Sequence, residues 1–239
     1  MAHLAQFLDQ GLGAPLPDDK DSLIEPAGDL GGGLTLGVIE ERVGPIVAQL
    51  VHDVQRALRF VRTNAAKWSV DPARIGVMGS SAGGHLALTL LTHGDDGDAT
   101  AADPVDRQPS RATLGILCYP VVSMLASNTH GGSRRNLLGD DPSEALVREL
   151  SGDLAVNEAT PPVFVWHTVE DKAVKLEGVL DLAASLRRHG RPFELHVYEK
   201  GAHGIGLGFK PYDGFASERL HPWTVECRRW LGERGFSGP

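Results

Sequence analysis

The five residues Gly79-Ser80-Ser81-Ala82-Gly83 constrain this chain more than any other stretch, because of what flanks them. Arg74-Ile75-Gly76-Val77-Met78 reads as a short buried strand, and the run from Gly83 to Leu91 as a helix. A G-x-S-x-G turn between strand and helix is so tight that small residues are expected two places either side of the serine. Such a turn lifts the Ser81 hydroxyl off the sheet and aims the Ala82 amide at the same point. That amide opens a helix, where unpaired N–H groups and the dipole favour an anion. One motif thus offers a candidate nucleophile and half of an oxyanion hole. Alone it is also compatible with an ordinary glycine turn.

The rest of the chain supplies the partners in order. A serine nucleophile needs a histidine to take its proton and a carboxylate to hold that histidine's tautomer. After such an elbow the order is serine, acid, histidine, each following a strand. Pro162-Val163-Phe164-Val165-Trp166-His167 is apolar, β-branched and aromatic, hence a buried strand, and it runs into a polar loop with Glu170 and Asp171 side by side. Phe193–Tyr198 alternates as a second strand and leads to His203, flanked by small residues in Gly201-Ala202-His203-Gly204. Ser81, one of the two carboxylates, and His203 are the candidate catalytic set.

Strand and helix alternate along most of the sequence. An amphipathic helix is expected near Val47–Thr63, with Val47, Leu50, Val51, Val54, Leu58 and Val61 as its apolar stripe. An acidic solvated loop follows the elbow helix from Gly94 to Arg111, then a strand over Ala112–Tyr119 and a helix near Pro142–Leu150. Further helices are expected over Leu176–Arg188 and near Trp223–Arg234. This alternation predicts a three-layer α/β fold, a mostly parallel sheet with helices on both faces. It yields about five strands.

Three segments, Gly79–Ala87, Pro161–Thr168 with Asp171, and Lys200–Gly204, together resemble the α/β-hydrolase superfamily. They look like its small microbial acetyl-esterase and carbohydrate-esterase branch, related to hormone-sensitive-lipase-like esterases. Leu117-Cys118-Tyr119-Pro120-Val121 and Gly132–Gly139 fit the same branch. The resemblance runs from about residue 47 to the C-terminus. It implies Ser81 as nucleophile, His203 as base and, through its Asp-x-x-Val spacing, Asp171 rather than Glu170 as the orienting acid. It also implies hydrolysis of short acyl esters, acetylated sugars or xylo-oligosaccharides among them. A serine peptidase of the same fold and a non-catalytic relative acting as a binding protein are the alternatives. Arg134 and Asn136, in the long stretch between two strands, are candidate substrate contacts or members of a surface loop tied by salt bridges.

Residues 1–46 fit the resemblance poorly and read as an N-terminal arm before a catalytic domain at 47–239. The family's sheet has about eight strands, so the N-terminal ones are expected to be reduced. The glycines Gly32 and Gly33 are either second oxyanion donors or a flexible turn before the apolar run Leu34–Ile39. Residues 22–50 carry enough apolar side chains to need a cover, on their own domain or on a neighbour, and a homo-oligomer, most simply a two-fold dimer, is expected.

Composition narrows the function classes. With 23 Lys and Arg against 31 Asp and Glu, the formal net charge of −8 argues against a nucleic-acid backbone as partner. No 18-residue apolar run or signal-like start is visible, so no membrane partner and a cytoplasmic location are expected. His167 four residues before Asp171 lacks a Cys/His cluster, and Gly204-Ile205-Gly206-Leu207-Gly208 lacks nucleotide-cradle spacing, so no metal or cofactor is expected. His85 reads as a packed helix residue. Cys118 and Cys227 read as small buried apolar groups rather than a pair.

Overall fold

The computed structural model of the protein describes residues 45–207 and 220–236, with side chains from Gln49 onward. Four strands, β1 (Val77–Ser80), β2 (Gly115–Cys118), β3 (Val163–Thr168) and β4 (Phe193–Tyr198), form one sheet in the order β1-β2-β3-β4. Every neighbouring pair is parallel. Parallel neighbours require crossovers, and helices supply them. These are α1 (Pro45–Thr63), α2 (Ala82–His93), α3 (Gly131–Leu138), α4 (Glu144–Glu149), α5 (Gly152–Ala155), α6 (Leu176–Arg188) and α7 (Pro222–Glu233).

Alternation along β2 and β3 divides the core in two. Leu117, Val163 and Val165 face Leu58 of α1, Leu88 and Leu91 of α2 and Leu182 and Leu186 of α6. Ile116, Cys118, Phe164 and Trp166 face Trp223, Cys227 and Trp230 of α7. Helices therefore cover both faces of a wholly parallel sheet, the expected three layers. β2 and β3 are buried along their full length. Both cysteines are buried and free.

Several expectations need correction. Among the described residues the sheet has four strands, against about five expected for the whole chain. The arm at 1–46 and the residues 22–50 expected at a dimer contact lie mostly outside the described residues. Helix α1 begins at Pro45, and its buried face is not purely apolar. Leu50 is exposed, whereas Gln55 and Arg59 are buried. Gln55 Nε2 donates to the His93 carbonyl at 2.8 Å, capping the last turn of α2, and Arg59 holds Asp95 at 2.5 Å.

The same helix explains why residues 94–111 are not a free solvated loop. Arg56 reaches Asp103 at 2.7 Å and Asp106 at 2.8 Å, and Arg62 donates to the Pro109 and Arg111 carbonyls. Ser110 is fully buried. The acidic segment is a strap bound to a row of arginines spaced three apart on α1.

Candidate active site

All four strands point the same way, so their C-terminal ends collect on one rim of the sheet, where ligands of open α/β sheets bind. Ser81 follows β1 directly and caps α2 with φ 55° and ψ −124°, a left-handed-side conformation that a serine adopts only under constraint. The constraint is visible. The Ser81 amide donates to the Cys118 carbonyl at 3.0 Å, and its own carbonyl accepts from Gly84, His85 and Val121. A Cβ on Gly79 would lie 2.1 Å from the Gly83 carbonyl oxygen, and one on Gly84 would lie 2.7 Å from Pro120 Cβ. Gly83 is different: a Cβ there meets nothing within 4 Å. The close approach involves Gly79 and Gly84, not both glycines of the motif.

Ser81 Oγ lies 2.8 Å from Nε2 of His203, and His203 Nδ1 lies 2.7 Å from Oδ2 of Asp171. The other oxygen, Asp171 Oδ1, accepts from the amides of Ala173 at 2.9 Å and Val174 at 3.0 Å. The Asp171 side chain is wholly buried, while that of His203 is about a quarter exposed, its Nε2 turned to the serine. Three strand ends thus bring the sequence-predicted Ser81, Asp171 and His203 into one hydrogen-bonded chain. Ala82 begins α2, where its N–H precedes any partner of the i−4 kind and is available to an anion beside Ser81 Oγ. Chemically, the arrangement can deprotonate a hydroxyl, hold the resulting imidazolium, and offer an amide to developing negative charge.

The neighbouring carboxylate does another job. Glu170 binds Lys200 Nζ at 2.8 Å and the Gly201 amide at 3.2 Å. It clasps the loop that carries His203. Thr168 adds a second tie, its hydroxyl donating to the Gly201 carbonyl at 2.6 Å. Gly201, at φ 134°, has the Thr168 and Ile205 side chains 3.0 Å from where its Cβ would be. Tyr119 packs edge-on against the His203 ring at 5.1 Å. Burial pushes the Tyr119 hydroxyl pKa up. The composition of Cys118-Tyr119-Pro120 gave no hint that Tyr119 would touch the histidine; its left-handed φ of 36° before a proline turns it there.

Other candidates fall elsewhere. Arg134 and Asn136 lie on α3, a helix where a loop was expected; Arg134 Nε donates to the Met124 carbonyl at 3.1 Å and Asn136 is exposed. Helix α3 is started by His130, whose ring accepts from the Ser133 amide. His85 is buried on α2 with Nε2 at 2.8 Å from the Leu150 carbonyl, the packed residue it was expected to be. Gly32 and Gly33 lie outside the described residues. Glu194, His196 and Glu226 group donor types that metals use, but Arg229 donates to Glu194 and Glu226, so a cation already sits among them. Among the described residues, no helix is long and apolar enough to cross a membrane.

With this geometry in view, the sequence matches the BD-FAE family over residues 44–186. The chain belongs to that family. Its BD-FAE core has the α/β-hydrolase fold of solved esterases. Superposition on the acetyl ester-xyloside bifunctional hydrolase of Caldicellulosiruptor lactoaceticus gives a TM-score of 0.73 at 44% identity, covering 79% of this chain and 66% of that one. A sugar hydrolase of Lactococcus lactis gives 0.60 at 28% identity, covering 79% and 70%. By sequence, the chain is 32% identical over 169 residues to an acetylxylan esterase of Xylanibacter ruminicola, 68% of this chain and 33% of that protein. It is 35% identical over 167 residues to endo-1,4-beta-xylanase B of Butyrivibrio fibrisolvens, 67% and 25%. The chain thus spans a quarter to a third of the length of these two curated relatives.

Proposed function

We propose that the protein is a serine carboxylic-ester hydrolase that removes short acyl groups, acetyl foremost, from xylan-type saccharides. The observation that carries the reaction class is the Ser81–His203–Asp171 chain with distances of 2.8 and 2.7 Å, next to the Ala82 amide at the start of α2. The saccharide side rests on the acetylxylan esterase and acetyl ester-xyloside hydrolase to which the chain is similar.

In this mechanism His203 Nε2 takes the Ser81 proton as Oγ attacks the ester carbonyl carbon. Negative charge then develops on the carbonyl oxygen, facing the Ala82 N–H. Asp171 Oδ2 accepts the Nδ1–H of His203 and balances the imidazolium. The imidazolium returns its proton to the departing alkoxide, and the alcohol leaves. Water attacks the acyl-serine with His203 again as base, releasing the carboxylic acid and restoring Ser81.

Ser81→Ala tests this reading with p-nitrophenyl acetate and acetylated xylo-oligosaccharide. Turnover is expected to drop by about 10⁶ with the fold retained, as for loss of a triad nucleophile. Ser80→Ala, which leaves the Ser81 hydroxyl and its bond to His203 in place, is expected to be far milder. Comparable loss in both variants overturns the assignment of the nucleophile. Faster hydrolysis of acyl chains beyond about eight carbons than of acetate overturns the short-acyl preference, since each added CH₂ would then be gaining its ~0.8 kcal/mol of burial. The two-fold dimer is likewise proposed, from the apolar content of residues 22–50. A light-scattering mass near 25.5 kDa at all concentrations refutes it.

A further inference from the structure

His167 is the last ring on β3 before the acidic loop, fully buried, and the mechanism above gives it no part. Its Nε2 lies 3.8 Å from Asp171 Oδ2, the same oxygen that binds His203, and both side chains are inaccessible to solvent. Among the described residues no hydrogen-bond partner meets that nitrogen. A buried ring nitrogen with no partner is costly unless something nearby uses it.

The tautomer follows from the carboxylate. His167 Nδ1 is 2.9 Å from both the amide nitrogen and the carbonyl oxygen of Thr168, one asking it for a lone pair and the other for a proton, so that side of the ring suits either tautomer. With the proton on Nδ1, the Nε2 lone pair would face the Asp171 carboxylate, which is unfavourable in a dry site; with the proton on Nε2, an N–H faces it. Burial also pushes the ring's pKa down, which keeps it neutral beside Asp171, His203 and Glu177, the ionisable groups that bear on it.

We propose that His167 is a positioning residue: its neutral Nε2–H faces Asp171 Oδ2 and holds that oxygen in line with His203 Nδ1. This rests on the triad reading above. At 3.8 Å the contact is longer than a hydrogen bond, and a shift of about 1 Å closes it. The N–H dipole shares the negative charge that faces His203 Nδ1. Removing it leaves the carboxylate charge to His203 alone and frees the oxygen to swing.

His167→Phe keeps a flat buried ring without the N–H. It is expected to lower kcat about tenfold at unchanged KM, far short of the ~10⁴ that follows when the triad carboxylate is lost. The acid limb of its kcat/KM profile is expected to move to higher pH. His167→Gln, whose amide can donate again, is expected to recover both. A Phe variant with native kcat and an unmoved acid limb overturns the proposal. So does a Gln variant as impaired as Phe with the limb unmoved, which would make the ring packing alone. Should the variants not fold, ¹⁵N imidazole spectra of the native protein decide. A neutral Nε2–H tautomer whose resonance moves in Asp171→Asn supports the proposal, and an Nδ1–H tautomer refutes it. If Ser81→Ala stays active, the esterase reading fails first, whatever His167 does.

Discussion

Crowding at Gly79 and open space at Gly83 separate two residues that the G-x-S-x-G pattern treats alike. Gly79→Ala would drive a Cβ to 2.1 Å from a backbone oxygen that is itself fixed by the turn. That variant is expected to lose most activity and to melt earlier, while Gly83→Ala, with nothing within 4 Å, keeps both; circular dichroism melts and acetate hydrolysis compare them. A pattern match sees only where small residues stand. The turn's real constraint involves Gly84 and Pro120, and pairing of distant residues is not written in local spacing. The adjacent carboxylates tell a similar story. Strand-and-loop patterning leaves either available in the loop after β3; the family resemblance favours Asp171, and the fold places Asp171 on the histidine and Glu170 on its loop. Asp171→Asn is expected to cost about 10⁴ in kcat by analogy with other triads. Glu170→Gln breaks a solvent-exposed clasp and is expected to cost tenfold at most, with the loss shrinking as salt screens the native pair. Equal losses in the two variants, measured as kcat on p-nitrophenyl acetate, would refute that division of labour.

At the level of elements, periodicity found the helices and strands whose apolar faces meet the sheet. Leu176–Arg188 and Phe193–Tyr198 come out with their expected bounds because turn residues end them sharply. Periodicity failed where polar contacts decide. Helix α3 has no buried residue and depends on its His130 cap, and the arginines of α1 hold residues 94–111 through ion pairs that hydropathy cannot register. His85 ties two elements in the same way, joining α2 to the end of α4. Burial lowers its pKa, and also those of His52, His167 and His221. In the unfolded chain these rings take up a proton near pH ~6.5, while in the folded protein they resist it until lower pH. Unfolding therefore binds protons below that point, and stability falls as pH drops from 7 to 5. His85→Gln keeps a donor for the Leu150 carbonyl but cannot ionise. Its melting temperature is expected to fall less steeply over that range than the native protein's, and an equal slope would remove His85 from the effect.

For the molecule as a whole, the sheet is asymmetric in a way that the order of its strands imposes. β2 and β3 are flanked by strands and sandwiched between helices, and every residue in them is buried. β1 has β2 on one side only among the described residues, and its burial alternates. β4 is partly exposed along its length, with Val197 outward. Among the described residues Ser81 thus follows a strand at one end of the sheet and His203 follows the strand at the other, while Asp171 follows β3 between them. Opening either of these outer strands moves Ser81 or His203, but moving Asp171 and His167 requires breaching the core between α6 and α7. Native-state hydrogen exchange should resolve this order. Amides of β2 and β3 are expected to exchange only through global unfolding, and those of β1 and β4 through openings of lower free energy. A denaturant series would show it as exchange free energies for Ile116, Leu117, Phe164 and Val165 that track the unfolding slope, while β4 amides plateau at low denaturant. Amides of β4 outlasting those of β3 would mean that the two edges, not the centre, hold this site together.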